Sequence, residues 1–263
     1  MGCCCNPVVL IRRPADRVSE QPPAGTAPRR WLVTGASRGI GRAIAAIACS
    51  KGDQVCLVGR SSDIGSTAAA MGEHAIGMQA DITNPADLAR LAETIEARWG
   101  GIDVLINNAG LHRGGTLDRL ADEDWEASLA TNLTGPMRIV RAMLGQMSPG
   151  GSIVNIGAVV GFRGFPGDSS YGASKAGLAG LTQVLAAELA RRQIRVNMVV
   201  PGFVMTEMTS GVSERARESI LARVPLQRMG TPEEIAEVCW WVAGSTYMTG
   251  SVVFTDGGLM CNL

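Results

Sequence analysis

Tyr171 and Lys175 stand four residues apart in the stretch S-Y-G-A-S-K, and both types are rare here. The sequence has two tyrosines, Tyr171 and Tyr247, and of its 24 basic residues only Lys51 and Lys175 are lysines. On a helix, residues i and i+4 share a face, so the ammonium would lie beside the phenol and lower its pKa from about 10. A phenol so tuned exchanges a proton with a substrate oxygen near neutral pH. An ordinary aromatic–cation contact would need no lysine in a chain this rich in arginine. The pair alone nevertheless leaves both readings open.

A second chemical feature lies near the start. W-L-V-T at 31–34 runs directly into T-G-A-S-R-G-I-G at 34–41, and a helical pattern follows. Glycines at 35, 39 and 41 give a tight turn and let a pyrophosphate approach the backbone at a helix N-terminus. The spacing is G-x-x-x-G-x-G. In that place, between a first strand and a first helix, it points to nucleotide binding.

The elements that must position these residues follow from the apolar pattern. Short apolar runs at 31–34, 55–58, 75–78, 104–106, 152–156, 195–200 and 251–255 read as strands. They are continuous, as parallel strands buried on both faces should be. Helical stretches lie between them. The clearest is N-P-A-D-L-A-R-L-A-E-T-I-E-A-R-W-G, with Thr83 or Asn84 as cap, Pro85 near its first position and Gly100 as its stop. This alternation predicts an α/β fold, a single-domain, Rossmann-type, doubly wound parallel sheet flanked by helices.

Composition narrows the function classes. With 24 basic and 24 acidic residues, net charge is zero and gives no electrostatic case for nucleic acid. No apolar run approaches the roughly 18 residues of a membrane span. Seven cysteines, at 3, 4, 5, 49, 56, 239 and 261, show no CxxC spacing, which argues for reduced thiols in a cytoplasmic protein. His74 and His112 are too few and too isolated for a metal site, and none is expected.

Residues 1–30 differ from the rest, being rich in Pro and Arg without a helical period, and read as a disordered leader before a domain at 31–263. Asn6 stands where a myristoylation signal has Ser or Thr, and Val8–Ile11 is too short for a secretory signal. An upstream start or an appended leader is the simpler reading.

T-G-A-S-R-G-I-G, Asp81, N-N-A-G at 107–110, Asn132, Y-G-A-S-K at 171–175 and P-G-F-V-M-T at 201–206 occur in the order found in classical short-chain dehydrogenase/reductases. The chain resembles that family over roughly residues 31 to 260. A-T-N-L-T-G, S-I-V-N-I-G-A-V-V-G and V-P-L-Q-R-M-G-T-P-E-E-I-A-E-V look most like 3-oxoacyl-[acyl-carrier-protein] reductases of fatty acid biosynthesis. The resemblance implies that Tyr171 protonates a carbonyl oxygen as hydride arrives. It implies that Lys175 tunes the phenol and holds the nicotinamide ribose, and that Asn132 keeps a relay water behind the lysine. It places Gly35, Ser37, Arg38, Gly39, Ile40, Gly41, Arg60, Asp81, Ile82, Asn108, Ala109, Gly110, Pro201, Gly202, Val204 and Thr206, with Tyr171 and Lys175, around the cofactor. Asp81 would meet the adenine, or else cap the following helix; Asn132 would otherwise be a polar group at a helix kink.

The cofactor itself can be argued from charge. The stretch after the second strand is V-G-R-S-S, with no acid until Asp63. A carboxylate there would select NAD by its ribose hydroxyl and repel a 2′-phosphate. Arg60 and Arg38 in its absence favour NADPH.

One member of the family's set is missing. Counting thirteen back from Tyr171, where the family has a serine, gives Ala158. Loss of such a donor costs on the order of 10²–10³ in turnover. The alanine fits an engineered substitution, a slow enzyme or one whose substrate supplies the bond, or a catalytically silent nucleotide-binding subunit. The complete Tyr–Lys–Asn set argues against the last.

The expected activity is reduction of a 3-oxoacyl thioester on acyl carrier protein or coenzyme A, or else of another small ketone. Gly202 to about Gly230 would form a mobile lid, and Phe162 and Phe165 would line the pocket. Arg138, Arg141, Arg191 and Arg192 offer charge to an acidic carrier protein, but the turn G-Q-M-S-P-G-G carries none. The resemblance also implies a homotetramer, with V-C-W-W-V-A at 238–243 and the C-terminal segment fitting its interfaces.

Overall fold

The computed structural model describes residues 27–261. Seven strands form one sheet: β1 (Arg30–Thr34), β2 (Gln54–Gly59), β3 (Ala75–Gln79), β4 (Ile102–Asn107), β5 (Met147–Ile156), β6 (Arg195–Pro201) and β7 (Val252–Thr255). All neighbours are parallel, in the order β3-β2-β1-β4-β5-β6-β7. The helices are α1 (Gly39–Ser50), α2 (Ile64–Ala69), α3 (Pro85–Trp99), α4 (Asp122–Leu129), α5 (Gly135–Met143), α6 (Ser169–Leu189), α7 (Glu207–Ser210), α8 (Glu214–Leu221) and α9 (Pro232–Gly244).

Every apolar run read as a strand falls on one. Alternate residues of a strand point to opposite faces, and here each face meets its own core. Trp31, Val33, Val55, Leu57, Val104 and Ile106 pack with α1 and α9. Leu32, Cys56, Val58 and Leu105 pack on the other face with residues of α3 and α5. A strand covered on both sides has no solvent face to keep polar, hence the unbroken runs. The helix signals hold as well. Asn84 caps α3 by accepting from the Ala86 amide at 2.9 Å, Pro85 opens the helix and Gly100 closes it in a left-handed conformation.

The sheet order reverses at β1, which has β2 on one side and β4 on the other. A crevice therefore opens beyond the carboxyl ends of β1 and β4, the usual ligand position in open α/β sheets.

The segment read as a leader lies at 1–26 outside the described residues, but its end does not. Arg29 bonds Asp53 through its amide at 2.9 Å and its Nε at 3.1 Å. Arg30 starts β1, with its amide and guanidinium on Asp103 at 2.7–2.9 Å and further bonds to the Trp99 carbonyl and Ser148. Ion pairing, invisible to composition, draws these arginines into the sheet. Among the described residues no helix is long and apolar enough to cross a membrane, and no group of His, Cys, Asp or Glu could hold a metal.

Candidate active site

A cavity of about 870 Å³ occupies the crevice. Its lining includes Gly35, Ser37, Arg38, Gly39, Ile40, Arg60, Asp81, Ile82, Asn108, Ala109, Gly110, Tyr171, Lys175, Pro201, Gly202, Val204 and Thr206. Ala158 lines it too. Gly41 and Asn132 do not; both stand behind the wall.

The glycine turn is locked against the end of β4. Thr34 Oγ1 accepts from the Asn108 and Ala109 amides at 3.0 and 3.1 Å, and Asn108 Nδ2 donates to the carbonyls of Thr34 and Gly35 at 3.0 Å each. Gly35 has φ +64°, and a Cβ there would lie 2.7 Å from Ala109 Cα. At Gly41 a Cβ would lie 2.4 Å from both Asn108 Nδ2 and the Gly35 carbonyl oxygen. Neither position has space for a side chain, so the turn and the N-N-A-G segment close on each other.

Whether this cradle suits a dinucleotide can be tested on the helix end. Arg38 occupies the N-cap of α1 without a capping side-chain bond, and the first turn carries no acid. Its first-turn amides thus have no capping side chain and line the cavity at Gly39 and Ile40, and the helix dipole favours an anion there. Next to it, a hollow of about 370 Å³ is lined by Arg60, Gln79, Ala80, Asp81, Asp87 and Arg90. Asp87 is an acid the sequence argument overlooked. It accepts from the Asp81 amide at 2.8 Å and pairs with Arg90 at 2.9 Å. The backbone bond first, then Arg90, hold its pKa below the ordinary value. Arg60 has no ion-pair partner among the described residues. Arg38 instead pairs with Glu207 on α7 at 2.8 Å. The donor set fits a phosphorylated dinucleotide, with Arg38 already engaged. Asp81 lines the cavity and also holds the turn into α3, accepting from the Thr83 amide and hydroxyl at 2.8 and 2.7 Å.

Tyr171 and Lys175 share one face of α6. Lys175 Nζ lies 5.7 Å from the phenol ring centroid and donates to the Ile156 carbonyl at 2.8 Å. Burial lowers the lysine to about 8. Tyr171 moves the opposite way from the sequence expectation. Apolar surroundings, and then the Asp168 carboxylate, push its hydroxyl up to about 12. The ammonium is spent on a strand-end carbonyl, while a carboxylate faces the phenol.

Asn132 lies fully buried in a π-helical turn, Ala130–Thr134, between α4 and α5. Such turns open the backbone ladder and re-aim a side chain. Its amide accepts from the Leu111 amide at 2.8 Å and donates to the Leu111 carbonyl at 2.8 Å and to Ser174 Oγ at 3.0 Å. Ser174 donates to the Tyr171 carbonyl at 2.8 Å. A Cβ on Gly110 would lie 3.5 Å from Asn132 Oδ1 and 3.9 Å from Lys175 Nζ, so all three meet there.

The opposite wall comes from loops. Phe165 lines the cavity but Phe162 does not; it sits edge-on against Phe254, with centroids 5.1 Å apart and its ring 39% exposed. From the expected lid, Phe203, Val204, Thr206, Glu207, Met208, Thr209, Val212 and Ile220 reach the cavity. Two residues outside the site expected from sequence also face it. His112 and Asp168 pair at 2.6 Å, and the His112 ring stands edge-on to Tyr171 with centroids 5.0 Å apart. They are 56 residues apart, so no local pattern signals them.

Comparison with known proteins agrees with this geometry. A family model described as enoyl-(acyl carrier protein) reductase matches residues 35–260. The chain is 41% identical over 234 residues to carbonyl reductase family member 4 of Danio rerio, covering 88% of this chain and 98% of that protein. It is also 41% identical over 234 residues to the 3-oxoacyl-[acyl-carrier-protein] reductase FabG of Escherichia coli, covering 87% and 96%. Among solved structures, a short-chain dehydrogenase/reductase from Brucella melitensis superposes with a TM-score of 0.85 at 30% identity, over 88% of this chain and 96% of that one. A blue fluorescent protein from a metagenomic library, in complex with NADPH, gives 0.83 at 33% identity, over 88% and 97%. Fold, motif order and relatives agree that the chain belongs to the short-chain dehydrogenase/reductase family of oxidoreductases.

Proposed function

We propose that the chain reduces a carbonyl to an alcohol with NADPH, and that its substrate is a 3-oxoacyl thioester carried on acyl carrier protein or coenzyme A. The observation that carries this reading is that Tyr171 and Lys175 line one cavity with the glycine turn and Arg60, while Asn132 stands behind that wall where Gly110 and Lys175 come together. The names of the relatives, 3-oxoacyl reductases at about 40% identity, favour a carbonyl over the carbon–carbon double bond in the family description.

When bound, the nicotinamide supplies hydride to the carbonyl carbon. Tyr171 gives its proton to the carbonyl oxygen, and a phenol held near 12 is protonated at the start of each reduction. Lys175, which lines the cavity beside Tyr171, would hold a ribose hydroxyl and compensate the phenolate as it forms. The Asn132–Ser174 bonds fix the loop at Leu111 and the first turn of α6 relative to each other. The α1 N-terminus takes the pyrophosphate, and Arg60, joined by Arg38, takes the 2′-phosphate. Ile156, Gly157 and Pro201 line the cavity and would keep water from the nicotinamide half of a bound cofactor.

The same reading includes a cytoplasmic homotetramer. Carrier-protein docking has less support, since Arg138 donates to the Thr83 carbonyl and Arg192 to the Leu144 carbonyl. The test is NADPH oxidation with acetoacetyl-CoA by this chain and its Ala158→Ser variant. Crotonyl-CoA serves as the control for double-bond reduction. A gain of about a hundredfold from the serine marks a competent reductase missing one donor. Equal, measurable rates mean that another group supplies the bond. NADPH binding without turnover by either protein refutes this reading and leaves a nucleotide-binding subunit.

A further inference from the structure

Ala158 removes a donor from the cavity, yet the wall around it is not short of polar groups. The loop carrying His112 follows N-N-A-G directly, and it is fastened to the loop before α6. Gly115 donates its amide to the Gly167 carbonyl at 2.8 Å, and Ser170 Oγ donates to the Arg113 carbonyl at 3.2 Å. These ties bring His112 Nε2 to 2.6 Å from Asp168 Oδ1 and set the imidazole edge-on to the Tyr171 ring. His112, Asp168, Ala158 and Tyr171 all line the one cavity. His112 Nδ1 has no hydrogen-bond partner among the described residues.

We propose that His112, oriented by Asp168, does the work of the absent serine hydroxyl, donating a hydrogen bond from Nδ1 to the substrate carbonyl oxygen beside the Tyr171 hydroxyl. His112 is then a catalytic residue and Asp168 a positioning residue. With Nε2–H given to the carboxylate, Nδ1 donates only as the imidazolium, and a carboxylate partner stabilises that form. The Asp168 bond raises the His112 pKa above its ordinary value, against partial burial that lowers it. The charged and titratable groups around the ring are Asp168, Tyr171 and, beyond the phenol, Lys175; neighbouring Arg113 is engaged by Asp124 of α4. The balance of the reaction is unchanged. One proton and two electrons arrive together as hydride from NADPH, Tyr171 O–H supplies the second proton, and His112 keeps its own.

This inference rests on the proposed carbonyl reduction, so the test separates the two. A double-mutant cycle of His112→Ala and Ala158→Ser is assayed for NADPH oxidation with acetoacetyl-CoA and with the free ester ethyl acetoacetate. His112→Ala should lower kcat about a hundredfold where residue 158 is alanine, the cost of a deleted donor. In the Ala158→Ser background the same change should cost less than about fivefold, because residues serving one bond are non-additive. NADPH affinity should not change in any variant.

A second readout follows the proton. The kcat of the chain should fall as pH rises through the His112 pKa, and that limb should vanish in the double variant. Asp168→Asn should move both the limb and the imidazole NMR titration of His112 to lower pH. Equal losses in both backgrounds, no loss on His112→Ala, or a limb that persists without His112 would overturn the proposal. A chain silent on both ketones whose Ala158→Ser variant is active refutes the role of His112 and leaves carbonyl reduction standing. Turnover of the ester alone sinks the thioester substrate, with the cycle still read on the ester. No turnover by any variant sinks both.

Discussion

On the cofactor wall, Thr34, Asn108 and Lys175 direct their hydrogen bonds into strand-end carbonyls and amides, and Thr34 and Lys175 are almost fully buried. On the opposite wall the polar groups pair with one another across loops: His112 with Asp168, Arg113 with Asp124. Neither α7 nor α8 has a buried residue, and Met205 and Met208 stay half exposed. A wall anchored in the sheet holds a constant ligand part in one geometry. A wall of paired loop residues can change its chemistry without disturbing the core.

The largest effect should come from Lys175, where the anchored wall meets the chemistry. Lys175→Met should cut kcat by about 10³, within the range for removal of proton-transfer groups. It should not unfold the protein, because it deletes a buried charge. The folded pKa near 8 is depressed from 10.5, so above pH 8 the unfolded chain binds the extra proton. Stability that the buried ammonium subtracts at pH 7 is therefore recovered as pH rises from about 8 towards 10.5. That gap corresponds to about 3 kcal/mol. Urea unfolding of the cofactor-free protein at pH 7 and pH 9.5 should read about 2 kcal/mol of it as a stability gain of the parent over Lys175→Met. An equal pH response in both proteins would mean that the lysine is not desolvated. Above pH 10 Tyr171 acts with the opposite sign, since burial raises its pKa in the folded protein.

Next in size is Gly41→Ala. The new methyl would meet the Asn108 amide and the Gly35 carbonyl at 2.4 Å, both held by hydrogen bonds. Overpacking of this kind costs about 1–3 kcal/mol, and the displaced turn should weaken NADPH at least tenfold. Thermal unfolding and fluorescence titration read the two effects. Retained affinity would show that the cradle tolerates movement and that the contrast between the walls is overstated.

The same contrast decides what the sequence makes legible. Strands buried on both faces must be apolar along their whole length, which is why the five inner strands stand out as runs; β3 and β7, at the edges and only partly buried, give shorter or weaker ones. The cradle is legible because its glycines and N-N-A-G are contiguous stretches with fixed spacing. Asn132 is legible only through family resemblance, since the π-turn that aims it leaves no pattern in A-T-N-L-T. Arg29 and Arg30 look like leader because their partners Asp53 and Asp103 lie far along the chain. Phe162 looks like a pocket residue by proximity to Tyr171, but the short 3₁₀ turn at Val159–Gly161 sends it towards Phe254. His112 looks isolated for the same reason that Arg29 does: its partner is brought by the fold.

The smallest effect should appear where the two walls touch. Arg38 belongs to the glycine turn and Glu207 to α7, and their ion pair at 2.8 Å leaves both side chains about two-thirds exposed. Exposed pairs of this kind contribute little to stability, so Glu207→Gln should leave thermal unfolding unchanged. Its effect should appear in cofactor choice. A guanidinium shared with Glu207 must give up that carboxylate to meet a 2′-phosphate, and glutamine removes the competition. NADPH affinity should then rise about two- to fivefold, with NADH affinity unchanged. The gain should shrink as salt screens the exposed charges. A fall in NADPH affinity would reverse the inference: Glu207 would be holding Arg38 in position for the phosphate, and the lid would belong to the cofactor wall after all.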